Sequence, residues 1–138
     1  MKLSLFTDIA LRALMRLAGN PEHAFSTREM AEELKVSSHH LTKVVARLSH
    51  LGYVTSRRGN QGGIWLARDA SEIRIGDVIA GLEDTTAIVD CFKADGGSCT
   101  LVPACRLRAR ISQAKRGFID ELNNTTLADI AYRIETAA

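Results

Sequence analysis

Between Ser26 and Ala67 the apolar residues switch from a helical spacing to a strand-like one, and that switch limits what the chain can fold into. Met30, Ala31 and Leu34 repeat at three and four residues, and so do Leu41, Val44, Val45 and Leu48. Such spacing puts side chains on one face of a helix. Ser26-Thr27-Arg28-Glu29 opens the first of these stripes as a capping box, with Ser26 as N-cap and Glu29 three residues on. Lys35-Val36-Ser37-Ser38 is too short for anything but a tight connector, and one of its serines is placed to cap the second helix. Gly52 ends that helix. Tyr53–Ser56 and Ile64–Ala67 are β-prone, and Arg57-Arg58-Gly59-Asn60-Gln61-Gly62-Gly63 between them has the composition of a hairpin tip. Two short helices joined by a tight turn and followed by a hairpin predict a mainly α fold with a small β-hairpin wing, a winged helix-turn-helix.

The flanking segments fit around that unit. Phe6, Ile9, Ala10, Ala13, Leu14 and Leu17 form the buried stripe of an earlier helix, with Arg12 and Arg16 on its other face and Gly19-Asn20-Pro21 ending it. After a polar connector, Asp69–Arg74, the residues Ile75, Val78, Ile79 and Leu82 mark a short helix. No period appears from Glu83 to Pro103, which predicts a loop. A longer helix starts near Pro103 or Cys105 and carries the stripe Leu107, Ile111, Ala114, Phe118 and Leu122. Thr126 is expected to cap a last short helix with Leu127, Ile130, Ala131 and Ile134 inside. The division that follows is a reading unit over 1–75, then a segment over 76–138 holding a loop (about 84–105) and the long helix, whose stripe is too apolar for water and predicts a homodimer.

Charge is uneven along the chain. Residues 1–75 carry eleven Lys and Arg against seven Asp and Glu, whereas 76–138 carry seven against nine. From Val36 to Arg68 there are five basic residues (Lys43, Arg47, Arg57, Arg58 and Arg68) and no acid. A local basic patch on a nearly neutral chain fits a polyanion met by one face, and double-stranded DNA suits the fold. A helix enters the major groove and its outward side chains meet base edges. Here these are Ser38, His39, His40, Thr42 and Lys43, with Arg47 further along. In the wing, Arg57 and Arg58 offer charge to phosphates or the minor groove, Gly59 lets the backbone approach, and Asn60 and Gln61 form the tip. As metal ligands, His39, His40 and His50 are the weaker reading. No apolar run approaches the roughly 18 residues that span a bilayer, and Asp8 interrupts any signal-peptide core, so a cytoplasmic location is expected. A nucleotide-binding glycine loop, a nucleophile–base arrangement and paired carboxylates are all absent from the sequence, which argues against an enzyme.

Three cysteines, Cys91, Cys99 and Cys105, gather in the irregular stretch before the long helix. An odd number in a cytosolic chain argues for metal or redox chemistry over a disulfide framework. Clustered thiolates select iron–sulfur clusters, zinc or copper(I). Such centres take four ligands and only three cysteines exist, with no histidine after His50. A carboxylate, a backbone group, an exogenous molecule or a residue of another subunit must complete the set.

The residues also resemble a known family. Leu5-Phe6-Thr7-Asp8 with Ala10–Leu14, Val36-Ser37 with Leu41 and Lys43, Gly52-Tyr53-Val54, Arg58-Gly59 with Gly62-Gly63-Ile64, Ile73–Val78, Pro103-Ala104-Cys105-Arg106-Leu107 and Thr126–Asp129 are similar to the Rrf family of iron–sulfur regulators, and within it to the nitric-oxide-sensing branch. The resemblance implies an iron–sulfur cluster, 4Fe-4S or else 2Fe-2S, held by Cys91, Cys99 and Cys105. It implies a homodimer paired through the long helix, with the partner subunit's Asp8 as fourth ligand, and a repressor that leaves a pseudo-palindromic operator when nitric oxide reacts with the cluster. Without the family, Asp8 is an i,i+4 partner of Arg12 or a helix-start carboxylate. Two features depart from the pattern. The spacer Phe92–Ser98 is longer than that branch leads one to expect, and Arg106-Leu107-Arg108 stands where another branch places a histidine. Redox state or iron supply as the signal, and zinc as the metal, are the competing readings.

Overall fold

Ser4 starts α1 (Leu5–Gly19): its hydroxyl accepts the Thr7 amide, and Ile9, Ala10, Ala13, Leu14 and Leu17 are buried along one face. The computed structural model describes residues 2–134, so positions 1 and 135–138 of the two expected units lie outside the described residues. α2 (Thr27–Leu34) opens with the expected capping box, in which Ser26 Oγ accepts the Glu29 amide and the Glu29 carboxylate accepts the Ser26 amide. The connector turns on Lys35, a non-glycine residue in the left-handed region at φ 55°, and the Val36 amide returns to the Ala31 carbonyl. Ser37 then caps α3 (Ser38–His50) through the His40 amide.

The wing follows directly. β1 (Val54–Arg57) pairs antiparallel with β2 (Gly63–Leu66) in the register Val54↔Leu66 to Arg57↔Gly63. Phe25 adds a bridge to Ile64, with N–O distances of 3.2 and 2.7 Å, and so ties the wing to the segment before α2. Leu41, Val44 and Leu48 of α3 have no exposed surface; burying such side chains stabilises by about 1.5–3 kcal/mol each.

After a 3-10 turn at Ala70–Glu72 come α4 (Ile75–Leu82), the cysteine segment with a 3-10 turn at Asp90–Phe92, and α5 (Arg106–Leu122), for which Cys105 is the N-cap residue. α5 docks on α4 by its C-terminal half. Phe118, Ile119 and Leu122 pack on the core, while Leu107 is 65% exposed, and no residue of α5 is fully buried within one chain.

The structure corrects two expectations here. The last helix is only a 3-10 turn, Ala128–Ile130, because tertiary hydrogen bonds claim the backbone on either side of it. Leu127 N bonds to Ile73 O, Thr126 bridges Arg74, and Tyr132 N reaches Met15 O, so Leu127 is buried but Ala131 and Ile134 are exposed. Arg16 is not on an outer face. It is 7% exposed, paired with Glu33 at 2.8 Å, bonded to Asn20 Oδ1 and Tyr132 O, and its guanidinium lies 5.1 Å from the Phe25 ring centre. Among the described residues no helix is long and apolar enough to cross a membrane.

Candidate nucleic-acid interface and metal-ligand segment

The first turn of α3 carries no acid, so the positive end of its dipole stands open. Ser38, His39, Thr42 and Lys43 are exposed there. Thr42 donates its hydroxyl back to Ser38 O at 2.8 Å, which leaves its lone pairs facing outward as acceptors. His40 is half-buried, its ring 6.1 Å from that of Phe6, so it offers an edge rather than a free imidazole. In the wing Arg57, Arg58, Gly59, Asn60 and Gln61 are all exposed. Gly59 has φ 103°, Gly62 N closes the tip on Gly59 O at 2.9 Å, and a Cβ at Gly62 would meet the Arg58 carbonyl carbon at 2.8 Å, so the tip has no room for a side chain there. Lys43, Arg57 and Arg58 have no carboxylate partner among the described residues. Two other basic residues of the patch are engaged. Arg68 stacks on Tyr53 at 4.9 Å, and Arg47 turns to α4, donating to Gly81 O at 3.0 Å and to Asp84 at 3.2 Å.

The cysteine segment leaves α4 through Glu83, whose carboxylate accepts the Ser4 amide and hydroxyl, both at 2.8 Å. Partial burial pushes that carboxyl up, but hydrogen bonds from Thr7, Ser4 and Thr86 outweigh it and leave it at about 2. Cys91 sits in the 3-10 turn and Cys99 in irregular chain. The long spacer between them is a pinched loop. Asp90 accepts the Ser98 amide at 2.6 Å and the Ser98 hydroxyl at 3.2 Å, and pairs with Lys93; these bonds hold its carboxyl at about 2. Gly97, at φ 62°, is required at the neck, where a Cβ would stand 2.6 Å from Asp90 Oδ2. Cys91 follows Asp90 and Cys99 follows Ser98, so each of those two cysteines adjoins one side of the pinch. Arg108 stacks over Phe92 at 5.4 Å and ties the turn to α5, where Cys105 makes no capping bond through its side chain.

All three thiols are free and half-buried. As a donor set, three unpaired thiols on one irregular segment fit a soft metal centre. Among the described residues no three of His, Cys, Asp or Glu are gathered at metal-holding distance, so the thiols do not form a finished cage. Asp8 is bonded within its own chain to Arg12, by Nε at 3.3 Å and by Nη2. Sequence reasoning missed Glu83, Asp84 and Asp90. Their partners lie 79, 37 and 8 positions away, and no short-range pattern reports such pairings.

A helix-turn-helix with a basic, unpaired wing defines a DNA-binding protein of the winged-helix class. Residues 3–133 match the family described as Rrf2, iron-dependent transcriptional regulator, and the chain belongs to that family. A relative from Geobacillus kaustophilus (strain HTA426), named HTH-type transcriptional regulator NsrR, is 40% identical over 131 residues, which is 94% of this chain and 89% of that one. Among solved structures, the oxidized form of Staphylococcus aureus CymR is 30% identical with a TM-score of 0.73, covering 99% of this chain and 100% of that one. T. potens IscR is 27% identical with a TM-score of 0.72, covering 94% and 85%. The chain is thus a transcriptional regulator.

Proposed function

We propose that this regulator is a homodimeric repressor that holds an iron–sulfur cluster on Cys91, Cys99 and Cys105, with the partner subunit's Asp8 as fourth ligand, and that nitric oxide relieves its repression. The observation that carries the reading is the placement of three free thiols on one segment whose ends are fastened to different bodies: Glu83 to the first turn of α1, and Cys105 to α5. The likeness to a relative named NsrR supports the branch. When bound, a cluster of the 4Fe-4S or 2Fe-2S type supplies iron that nitric oxide attacks. A carboxylate is the hardest of the four ligands and the weakest on such iron. To reach it, Asp8 exchanges its Arg12 pair, a bond worth only a few tenths of a kcal/mol on a helix surface.

The dimer face in this reading is the apolar side of α5 together with the groove beside it that one chain leaves open. Ile111, Ala114 and Phe118, with Leu3, Ile79 and Ile88, line an apolar groove of about 460 Å³. A second copy covers it and sets two α3 helices and two wings on a pseudo-palindromic operator. Ser38, His39, His40, Thr42 and Lys43 read the major groove, and Arg57 and Arg58, with Gly59, Asn60 and Gln61 at the tip, hold the backbone or minor groove.

The test is duplex binding by protein purified without oxygen, using an operator selected by the parent from a random pool, before and after nitric oxide. A brown protein whose binding collapses on nitric oxide is the expected result. A colourless zinc protein, or a brown one that responds to oxidant or iron withdrawal and ignores nitric oxide, overturns it. Asp8→Ala and Arg12→Ala compared side by side decide the fourth ligand. If both match the parent in cluster spectrum, operator affinity and nitric oxide response, Asp8 does not ligate.

A further inference from the structure

Arg47 lies four residues beyond Lys43 and so shares its side of α3, yet it does not share its surroundings. The side chain is only 33% exposed, and Nη2 reaches both Gly81 O at 3.0 Å and Asp84 Oδ2 at 3.2 Å. Gly81 is in the last turn of α4, where carbonyls lack an intrahelical amide and the dipole is negative, so a guanidinium there satisfies an otherwise open acceptor. The contact is reinforced beside it: a Cβ at Gly81 would touch Leu51 Cδ1 at 3.4 Å, and Leu51 is the C-cap residue of α3. One residue before Asp84, Glu83 grips the N-cap of α1 through Ser4. Two adjacent carboxylates at the start of the cysteine segment therefore hold two different helices, the one that carries Asp8 and the one that faces DNA.

We infer that Arg47 is a positioning residue: with Asp84 and the Gly81 carbonyl it sets the angle of the recognition helix against the start of the cysteine segment, and it does not contact phosphate. To reach a phosphate the guanidinium would give up both partners and leave the Gly81 acceptor half-covered. Held in place, it makes α3 turn with the end of α4. In the cluster-holding reading proposed above, on which this last consequence rests, any shift of the cysteine segment then reaches the reading helix through one side chain.

The two roles predict opposite signs at Asp84. If Arg47 serves DNA, Asp84→Ala frees a cation and removes a repelling charge, and binding tightens. If Arg47 positions α3, the same change loosens the helix, and operator affinity falls despite the more favourable charge. The experiment measures affinity for the selected operator, and its salt dependence, for the parent, Arg47→Ala, Asp84→Ala, the double variant and Asp84→Glu. We expect each single variant to lose about fivefold, in the usual range of coupling between sites. The double variant should be no worse than either single, Asp84→Glu should recover most of the loss, and the salt slope should not move. Tighter binding by Asp84→Ala, additive losses, or a salt slope reduced by about 1 in Arg47→Ala overturns the assignment. Asp84 is 54% exposed, so its variants are not expected to disturb folding. Measuring the parent with and without its metal separates the two ideas. Equal affinities of those two forms defeat the cluster reading, while the comparison of variants still decides the role of Arg47.

Discussion

Gly76 offers a measurement of how closely α4 is docked on α5. It stands buried in the first turn of α4, whose N-cap residue, Arg74, makes no capping bond through its side chain. Asn123, the C-cap residue of α5, supplies the cap instead: Oδ1 accepts the Asp77 amide and Nδ2 donates to Asp77 Oδ1, both at 2.9 Å. A Cβ on residue 76 would meet Asn123 Oδ1 at 2.5 Å and would press on the backbone carbonyl of Ile119. To restore ordinary contact α5 must withdraw by about an ångström, the sort of overpacking that costs about 1–3 kcal/mol. The two Asn123 bonds are lost with that movement, at about 1 kcal/mol each, and the gain in helix propensity from glycine to alanine returns at most about 1 kcal/mol. Gly76→Ala should therefore lose about 2–4 kcal/mol. Urea unfolding at one fixed protein concentration reads this as a fall in midpoint with an unchanged slope. Gly117→Ala is the control on the partner helix: nothing lies within 4 Å of its Cβ position, and it should hold or gain stability. If Gly76→Ala loses less than about 1 kcal/mol, or no more than Gly117→Ala, the close approach is not what fixes α5, and the reasoning fails.

Three further outcomes are expected. Arg57→Ala with Arg58→Ala should weaken binding to all duplexes and lower the salt slope by up to about 2; a slope that stays put removes the wing from the interface. Leu107→Asp with Ile111→Asp places charge on the free half of α5, and sedimentation should show a folded monomer; a persisting dimer with full operator affinity rules out that face. Glu83 is held at about 2 in the folded chain against an ordinary value of 4.5, so the stability its ionised form lends is complete above 4.5 and lost as pH falls toward 2. Glu83→Gln should accordingly be less stable than the parent at neutral pH, and the two denaturation curves should converge across that window; a constant gap would refute the contribution.

The sequence was most legible where structure is decided locally. The capping box at Ser26 and Glu29, the helical stripes of α1 to α3 and the glycine-rich wing tip are each settled by residues within a few positions of one another, and the structure places them as the spacing predicts. Of the residues proposed for DNA, Ser38, His39, Thr42, Lys43, Arg57 and Arg58 stand exposed, whereas helical periodicity does not show that α4 ends beside Arg47. The final turn failed for a related reason. Thr126 and Asp129 do form the local cap, with Asp129 accepting the Thr126 amide at 2.8 Å, yet the Leu127 amide is given to Ile73 O before the turn and the Tyr132 amide to Met15 O after it, so no helix is completed. The cysteine segment was legible in composition and illegible in shape, because its form depends on Asp90 reaching Ser98 across a loop of no regular period.

Leu127 has one more consequence, and it concerns the order in which the molecule can be made. Its side chain is fully buried in the core that α1 and α3 share, its amide bonds to Ile73 O, and Tyr132 N is pinned to α1 at Met15 O, so the slot stays open until Leu127 arrives. During synthesis from the amino terminus, the helix-turn-helix and wing emerge first with that slot vacant and that stretch of α1 uncovered. The cysteine segment and α5 must be made before Leu127 arrives to close it. A finished reading head therefore never precedes the segment proposed to govern it, and a nascent chain stalled before residue 127 presents DNA with an unsealed core.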